Sequence, residues 1–440
     1  MKRFLLKSLI SLVLITLILP MVSAASPTVI WSSAVFTDDI TLSKDGNYVA
    51  IASGNQLRFY GRTSGTPLWT HTLSSGYFRS VAISADGDCV VAGISLPDGG
   101  KVLFWKNSRT LTGNPASSWM SENLGGGVYR RCLDISEDGN YVVACGTGRW
   151  VFYWANTKIL SGADKPWTWR SVLFSSVECV DLSSDGDYVA AGIVDYTLGS
   201  MAAYWKNTRT LTGNDRDPDW KSSSPDNSVS DVAISDDGNY VAAATGADLS
   251  VHYWANAKSL TGDPAHTWYY GTGVDFSCID MSSDGNSVVA GASSPAGVYF
   301  WGGARGMTGK PQNPSWVYTT GIGIHDVAID DAGDYMAAAQ SYVEPHKAYF
   351  FGRAGDLKWS FDLDNPSLVV SISGDGGTLA VGTTSEETAY LLSTGYSSGP
   401  RPVGGITVPT NKLEIVAPLA ALAGLVVAVS AVVVVKKRRY

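Results

Sequence analysis

The sequence predicts an all-β fold of eight repeated units, and three observations support this prediction. A turn phrase of the form Ser-x-Asp-Gly followed by an apolar run recurs along the chain, as in SEDGNYVVACG from Ser136. An aromatic-ended run and then a lone Trp follow each of the first seven phrases. The turn glycines recur every 41 to 52 residues, at Gly46, Gly87, Gly139, Gly186, Gly238, Gly285, Gly333 and Gly376. A period of this size indicates one supersecondary unit per repeat.

Each unit contains four predicted strands. An alternating run such as CVDLS from Cys179 precedes the turn, and the Asp-Gly pair is typical of a hairpin. The run after the turn, such as YVAAGIV from Tyr188, is apolar on both sides, which predicts a strand buried on both faces. The aromatic-ended run is the third strand and the lone Trp marks the fourth. Four strands per repeat is the blade of a β-propeller.

The two ends of the repeat region predict how the ring closes. The last unit stops after its third strand, AYLLS, which ends at Ser393. The segment TVIWSS near the N-terminus carries Trp31, which matches the Trp of a fourth strand. We therefore expect residues 26–395 to form an eight-bladed β-propeller closed by an N-terminal strand, which removes the exposed sheet edges. Seven or nine blades are the alternatives if one phrase is miscounted.

The repeat resembles a known pattern. The run VAISADGDCVVAGIS followed by VLFWKN is similar to the WD repeat, and this resemblance covers residues 30–393. Two features of that family differ, because its Gly-His dipeptide is missing and Trp-Asp is replaced by Trp-Lys-Asn or Trp-Ala-Asn. The runs GRTSGTPLWTHTL and GRAGDLKWSFDL are similar to the Thr-Gly-x-x-x-Trp segment of quinoprotein-type, PQQ-like repeats.

Both termini carry predicted targeting segments. Residues 1–25 combine a basic start, an apolar stretch and the small residues Val22-Ser23-Ala24, as a cleaved signal peptide does, with an uncleaved anchor as the alternative. Residues 413–435 are long and apolar enough for one transmembrane helix, and the basic tail 436–440 is expected in the cytoplasm. Residues 396–412 are rich in Gly, Pro, Ser and Thr, which predicts a flexible stalk. These segments predict a single-pass membrane protein with an extracellular propeller, at the surface of a prokaryotic, archaeal-type cell.

Charge and cysteine content restrict the partners. Residues 26–411 contain 24 basic and 39 acidic residues, a net charge of −15, which disfavours nucleic acid as a partner.

Five cysteines are too few for a disulfide framework. Cys132 and Cys145 would face each other across one turn if its central residues are Asp138 and Gly139. They are then either a disulfide or two packed thiols.

The sequence contains no motif that assigns a catalytic residue, a metal or a cofactor. The five histidines lack metal-ligand spacing, and no nucleophile has a local base signature. Six acids recur on the predicted inner strands, namely Asp39, Asp134, Asp181, Asp231, Asp280 and Asp326. They either bind a divalent cation at the axis or form hydrogen bonds with a neighbouring blade.

The loops of the two propeller faces differ in regularity. On one face a formula such as NTRTLTGN from Asn207 recurs, which indicates a structural role. On the other face the loops vary, and those that lead into the inner strands supply our candidate binding residues: Tyr77, Phe78, Tyr129, Arg130, Phe174, Phe276 and His325. Variable loops on a rigid scaffold commonly bind ligands. The alternative is that these aromatic residues plug the channel mouth.

Our leading hypothesis is a non-enzymatic surface scaffold that binds an extracellular protein or glycan. The fold does not decide this, because propellers host both binding and catalysis. The second hypothesis is an extracellular enzyme, either a quinoprotein-like oxidoreductase or a glycan-acting hydrolase or lyase. The third is a structural component of the cell envelope.

Overall fold

The computed structural model describes residues 26–398, except 147, 174–175, 195–200, 224–228, 247–248, 272, 310, 342 and 384–387. The predicted signal peptide, transmembrane helix and basic tail, and residues 399–412 of the predicted stalk, lie outside the described residues. Within the described ranges, no helix is long and apolar enough to cross a membrane.

The described residues form eight sheets, each built on four antiparallel strands, which confirms the predicted eight blades. The sheet of blade 2 has a fifth strand that pairs in parallel, and the first strand of the chain joins the sheet of blade 8. The N-terminal strand is β1 (Thr28–Ser33). Blade 1 contains β2 (Asp39–Leu42), β3 (Tyr48–Ser53), β4 (Gln56–Gly61) and β5 (Trp69–Thr72), and blade 2 contains β6 (Tyr77–Ile83), β7 (Cys89–Leu96), β8 (Gly99–Lys106) and β9 (Trp119–Ser121). Blade 3 contains β10 (Leu133–Ile135), β11 (Tyr141–Cys145), β12 (Trp150–Ala155) and β14 (Trp169–Val172), while β13 (Gly162–Lys165) joins the sheet of blade 2. Blade 4 contains β15 (Ser176–Leu182), β16 (Tyr188–Val194), β17 (Met201–Lys206) and β18 (Trp220–Ser223).

Blades 5 to 8 contain β19 (Val229–Ile234), β20 (Tyr240–Thr245), β21 (Ser250–Ala255) and β22 (Trp268–Gly271); β23 (Asp275–Met281), β24 (Ser287–Ser294), β25 (Ala296–Gly302) and β26 (Trp316–Thr319); β27 (Ile324–Ile329), β28 (Tyr335–Gln340), β29 (Lys347–Gly352) and β30 (Leu357–Asp362); β31 (Ser367–Ile372), β32 (Thr378–Thr383) and β33 (Ala389–Ser393). Short 3-10 helices follow the third strand in blades 2 to 6, at Ser108–Thr110, Thr157–Ile159, Thr208–Thr210, Ala257–Ser259 and Ala304–Gly306.

The turn phrase forms a hydrogen-bonded loop between the first and second strands. In blade 3 the Ser136 hydroxyl donates to Asp138 at 2.7 Å and accepts the Tyr141 N–H at 3.0 Å, while Gly139 has a φ of +73°. In blade 7, Asp330 replaces the serine and accepts the N–H groups of Asp334 and Tyr335. The phrase therefore recurs because the side chains themselves satisfy the backbone of the turn.

The turn glycine also contacts the next blade. Gly186 has a φ of +74°, and a Cβ built on it would lie 2.4 Å from the ring of Tyr141 in the preceding blade. The Tyr153 hydroxyl of that blade donates to the Gly186 carbonyl at 2.6 Å. Glycine is needed here both for its backbone angle and for the close approach of the two blades.

The second strands pack between the sheets. Val142, Val143, Ala144 and Cys145 of β11 are all fully buried. This burial agrees with the two-sided apolar pattern of these runs and places the core between the blades.

The ring closes at the predicted strand. β1 pairs antiparallel with β33, and Trp31 lies opposite Leu391. This pairing makes β1 the fourth strand of blade 8, as the position of Trp31 predicted. The predicted N-terminal closure is therefore confirmed.

A second set of contacts closes the ring at its outer edge. In every blade the Trp of the fourth strand donates its indole N–H to a backbone carbonyl of the next blade, at 2.9–3.2 Å. We call these eight hydrogen bonds the tryptophan belt. The last one joins Trp31 of blade 8 to Gly61 of blade 1. The acceptors of blades 2 to 6 lie within the repeated loops, which supports the structural role predicted for them.

Candidate functional site

Two faces of the propeller carry different loops. The turn face contains the eight Ser-x-Asp-Gly turns, and the rim face contains the loops that lead into the inner strands. On the turn face, backbone N–H groups of successive turns donate to the carbonyl of the next turn at 2.8–3.3 Å, and Gly374 closes this circle on Lys44. The turn face is therefore fixed by the backbone, whereas the side chains of the rim face are not constrained by a repeated motif.

Two of the predicted rim residues are exposed. Tyr77 is 54% exposed and Tyr129 is 45% exposed. The Arg79 guanidinium lies 5.1 Å from the centre of the Tyr77 ring and donates to Asp38 at 2.7 Å. These contacts hold the Tyr77 ring beside a cation on the rim face.

The structure adds Phe36, which is 39% exposed. Phe36, Tyr77 and Tyr129 each stand ten residues before the turn glycine of their blade. No other blade has an aromatic residue at this position of the repeat. Alignment of the repeats on the turn glycine would have identified Phe36, and the three residues together form an aromatic set on the rim face of blades 1 to 3.

Phe78 and Phe276 do not lie on the surface, which corrects the expectation that they are exposed. Both are fully buried and pack in the core. They stand nine residues before the turn glycine, one position after the exposed residues. Successive side chains of a strand point to opposite sides, so this position faces the interior. Phe174, the remaining predicted aromatic residue, lies outside the described residues.

Arg130 and His325 meet near the propeller axis. The Arg130 guanidinium lies 3.4 Å from the His325 carbonyl and 3.6 Å from the Asp326 carboxylate. The two residues come from blades 3 and 7, so the contact crosses the mouth of the channel. The prediction placed both at the rim without indicating this contact.

The neighbouring Arg131, which the sequence interpretation missed, reaches further across the channel. Its guanidinium donates to the carbonyls of Ser277 at 2.6 Å and His325 at 3.1 Å, and lies 3.4 Å from the carboxylates of Asp231 and Asp326. Its φ of +67° is unusual for a side chain of this size. Burial alone would lower the pKa of Arg131, but the two carboxylates raise it.

The six predicted acids do converge on the channel, where they line a cavity of about 330 Å³. Each one accepts a backbone N–H from the next blade through Oδ2, at 2.7–3.1 Å. Asp39, Asp134, Asp181, Asp231 and Asp280 also accept the N–H of the residue that follows them through Oδ1. At the junction of blades 8 and 1, the Ser371 hydroxyl takes the place of the carboxylate.

This geometry agrees with the second interpretation of the acids, hydrogen bonding between blades. Eleven of the twelve carboxylate oxygens accept a backbone N–H, and the twelfth, Asp326 Oδ1, lies beside Arg130 and Arg131. In the described part of the chain, no group of three or more His, Cys, Asp or Glu is arranged to hold a metal ion.

Burial changes the acidity of these carboxyls. Burial raises the pKa of Asp39 and Asp280 to about 7, and that of Asp134 to about 6. Burial and the adjacent Asp134 carboxylate raise the pKa of Asp181 well above its usual range. The backbone hydrogen bonds oppose these shifts, because they favour the charged form.

The Lys44 side chain lies at the turn-face end of the channel. The Lys44 ammonium contacts Glu137, and it lies 3.0 Å from Asp236 and 3.1 Å from Asp331, inside a cavity of about 230 Å³. Burial would lower the pKa of Lys44, but the Asp236 and Asp331 carboxylates raise it. The channel thus has arginines at one end and a lysine at the other.

The five cysteines are buried free thiols. Cys132 and Cys145 do face each other, since the Cys145 N–H donates to the Cys132 carbonyl in register with the Leu133–Ala144 pair. Burial raises the pKa of Cys145 well above its usual range, so its thiol stays protonated at neutral pH. The structure therefore corresponds to the packed-thiol alternative.

Comparison with known proteins finds a repeat family that matches one part of the chain. A family profile described as "WD domain, G-beta repeat" matches residues 219–255, which run from the fourth strand of blade 4 to the third strand of blade 5. Over these residues the chain is similar to the WD repeat, and the described residues between 26 and 398 form an eight-bladed β-propeller.

Two solved structures share the fold. The C-terminal WD40 domain of Sif2 has a TM-score of 0.63 at 14% identity, over 83% of this chain and 98% of that one. The Cps50 (Swd1) β-propeller domain of Myceliophteria thermophila has a TM-score of 0.52 at 13% identity, over 73% and 97%. No curated protein matches the sequence. At these identities the likeness concerns the fold alone.

Proposed function

We propose that the protein is a cell-surface scaffold that binds a partner protein through the aromatic set on the rim face. The observation that carries this proposal is the exposure of Phe36, Tyr77 and Tyr129 at one repeat position in three consecutive blades, and the absence of an aromatic residue there in the other five. The fold does not require these rings, because the other five blades form without an aromatic residue at this position. Exposed aromatic side chains, with Arg79 beside Tyr77, are the residue types enriched in binding hot spots.

The proposed attachment to the membrane is consistent with where the chain leaves the propeller. The Ser398 N–H donates to the carbonyl of Asp375, which lies in the blade 8 turn, and Thr28 pairs with Ser393 at the same end of β33. Both described ends of the chain therefore lie on the turn face. The rim face lies at the other ends of the same strands, away from both described chain ends.

The proposal is tested by binding. Residues 26–398 contain every contact that closes the ring, so we expect them to fold alone. They are screened on arrays of surface proteins and glycans, and the hits are measured with the triple variant Phe36→Ala, Tyr77→Ala, Tyr129→Ala. We expect the triple variant to lose binding by at least about tenfold. The matched control is Ile159→Ala, which removes a side chain that is 79% exposed in a repeated loop.

Unchanged binding by the triple variant would refute the role of the rim face. Hits confined to the glycan array would replace the partner protein by a glycan.

One observation favours an enzyme as the second candidate. Several carboxyls of the channel have raised pKa values, as general acids of enzymes often do. A quinone-dependent reduction of a dye, or hydrolysis or cleavage of an arrayed glycan, would support the quinoprotein-like or the glycan-acting alternative. Loss of that activity in Asp280→Asn, with the fold retained, would assign it to the channel.

A further inference from the structure

The fourth strands of blades 1 to 5 do not end in open edges. A segment of the following blade pairs in parallel with each of them through a glycine, which ends the sequence Leu-Thr-Gly, Leu-Ser-Gly or Met-Thr-Gly. We call these cover segments; they are residues 111–113, 160–162, 211–213, 260–262 and 307–309. Their glycines form parallel bridges with Trp69, Trp119, Trp169, Trp220 and Trp268.

The hydrogen bonds of the cover segments are specific. In blade 4 the N–H of Lys221, the residue after Trp220, donates to the Gly262 carbonyl at 2.9 Å. The Gly262 N–H in turn donates to the Asp219 carbonyl at 3.2 Å. The same donation from the residue after the Trp occurs in blades 1 and 3, at 2.9 Å and 3.1 Å. A cover segment thus satisfies an edge that would otherwise be open for pairing.

Blades 6, 7 and 8 have no such parallel pairing among the described residues. The exposed fraction of the belt tryptophans differs between blades with a cover segment and blades without one. It is 0–1% in blades 1 to 5, but 6% for Trp31 and 7% for Trp359, and Trp316 of blade 6 is only half-buried. The cover segments therefore account for the complete burial of the other five indoles.

Blade 6 has the most open of these edges. Its fourth strand, β26, reads Trp-Val-Tyr-Thr, with Val317 45% exposed and no charged residue. The edge in blade 7 carries Lys358 and Asp362, and charges on an edge discourage pairing. In blade 8 the edge is approached by Gly65, where a Cβ would lie 2.6 Å from the Ser32 carbonyl.

Blade 6 shares the hydrogen bond of the tryptophan belt with the other blades but lacks a cover segment. The Trp316 indole donates to the Arg353 carbonyl at 3.0 Å, as the other belt tryptophans do. Gly355 of the short blade 7 hairpin packs on the Trp316 ring. The chain then enters β30 at Leu357, before a cover segment could form.

We propose that the outer edge of β26 binds an extended segment of a partner protein, parallel to the strand and with the pattern aliphatic–Thr/Ser–Gly. The chemistry of this occupant follows from the five cover segments, which fill the equivalent position in the same molecule. The binding mode is strand addition, in which backbone hydrogen bonds give the affinity. This surface is separate from the aromatic set on the rim face.

By equivalence with Lys221, the Val317 N–H is the donor that meets the glycine of the bound segment. This assignment defines the variants. Val317→Pro removes the N–H at an outward-facing edge position, which proline tolerates in a sheet. Val317→Thr keeps both the N–H and the branched side chain, and it is the matched control.

The probe is a fluorescein-labelled peptide with the sequence of residues 260–265, Leu-Thr-Gly-Asp-Pro-Ala, compared with a scrambled peptide of the same composition. Fluorescence anisotropy of the labelled peptide is measured as residues 26–398 are added. The concentrations are chosen to detect dissociation constants as weak as about 1 mM. We expect binding by the wild type and by Val317→Thr, and a loss of about tenfold or more in Val317→Pro, whose melting curve serves as the folding control. Hydrogen exchange of the Val317 amide should slow when the peptide is bound.

Three results would overturn the proposal: no binding by the wild type, equal binding of the scrambled peptide, or equal binding by folded Val317→Pro. The triple variant of the rim face should bind the peptide as the wild type does. A failure of this proposal is therefore distinguishable from a failure of the rim-face proposal.

Discussion

The tryptophan belt and the axial channel are two rings of the same propeller, and they are built in opposite ways. The belt repeats one hydrogen bond eight times, from an indole N–H to a carbonyl of the next blade. The channel repeats a carboxylate at only six inner strands, at two different heights, and adds Arg131 and Lys44, which occur once each. Regular contacts therefore close the ring, whereas Arg131 and Lys44, which depart from the repeat, make contacts that no other blade repeats.

The largest expected effect tests the contacts between adjacent turns and blades. Gly186→Ala forces a side chain into a left-handed backbone and against Tyr141, so we expect a loss of about 3 to 5 kcal/mol in the free energy of unfolding. Gly262→Ala is the control, because it has a similar φ of +70° and no atom within 4 Å of the added Cβ. We expect it to cost about 1 kcal/mol. Equal losses in urea denaturation would show that the contact with Tyr141 is unimportant.

The second prediction concerns the pH dependence of the channel. A carboxyl such as Asp280, whose folded pKa of about 7 lies above its ordinary value of 3.8, binds its proton more tightly in the folded state. Its contribution is complete below pH 3.8 and is lost as the pH rises through 7. We expect this one carboxyl to lower the free energy of unfolding by about 3 kcal/mol between pH 5 and pH 8.

Asp280→Asn should reduce the pH dependence by this amount, because the amide oxygen still accepts the Ile329 N–H and does not titrate. The dependence that remains belongs to the other carboxyls with raised pKa values, Asp39, Asp134 and Asp181. The measurement is urea denaturation of both proteins at the two pH values. A wild-type stability that rises with pH would contradict the prediction.

The third prediction concerns Arg131, the cation of the channel with the most contacts. Arg131→Met keeps an apolar stem but removes the guanidinium that contacts Asp231, and it leaves Asp326 with Arg130 alone. Removal of one member of a buried pair is costly, and the 21% exposure of this side chain reduces the cost to about 2 kcal/mol. A matched change on the surface, Arg109→Met, should cost under about 0.5 kcal/mol. Thermal melts of equal midpoint would exclude a special role for Arg131.

The smallest expected effect compares two members of the belt. Trp169→Phe removes the donor to Thr208 in a fully buried site, so we expect a loss of about 1 to 3 kcal/mol. Trp316→Phe leaves the Arg353 carbonyl open to water, and we expect a loss below about 1 kcal/mol. Chemical denaturation of both variants measures the difference. A larger loss for Trp316→Phe would mean that the edge of blade 6 is not open.

Some features of the site follow from the repeat once it is aligned, and others do not. The exposed position of Phe36, Tyr77 and Tyr129 and the buried position of Phe78 differ by one residue, so the alternation of a strand separates them. The role of Arg131 could not be read in this way, because its partners come from blades 5, 6 and 7. Lys44 likewise meets acids of three other blades, which are distant in sequence.

The sequence alone determined the number of blades, the four strands of each blade and the closure of the ring by Trp31, because each depends on local patterns repeated at a fixed period. Only the tertiary structure decided which acids bond to which neighbouring blade, which outer edges stay open and which cations fill the channel. The physical reason is that these contacts join residues tens to hundreds of positions apart, whose distances are set by the curvature of the closed ring.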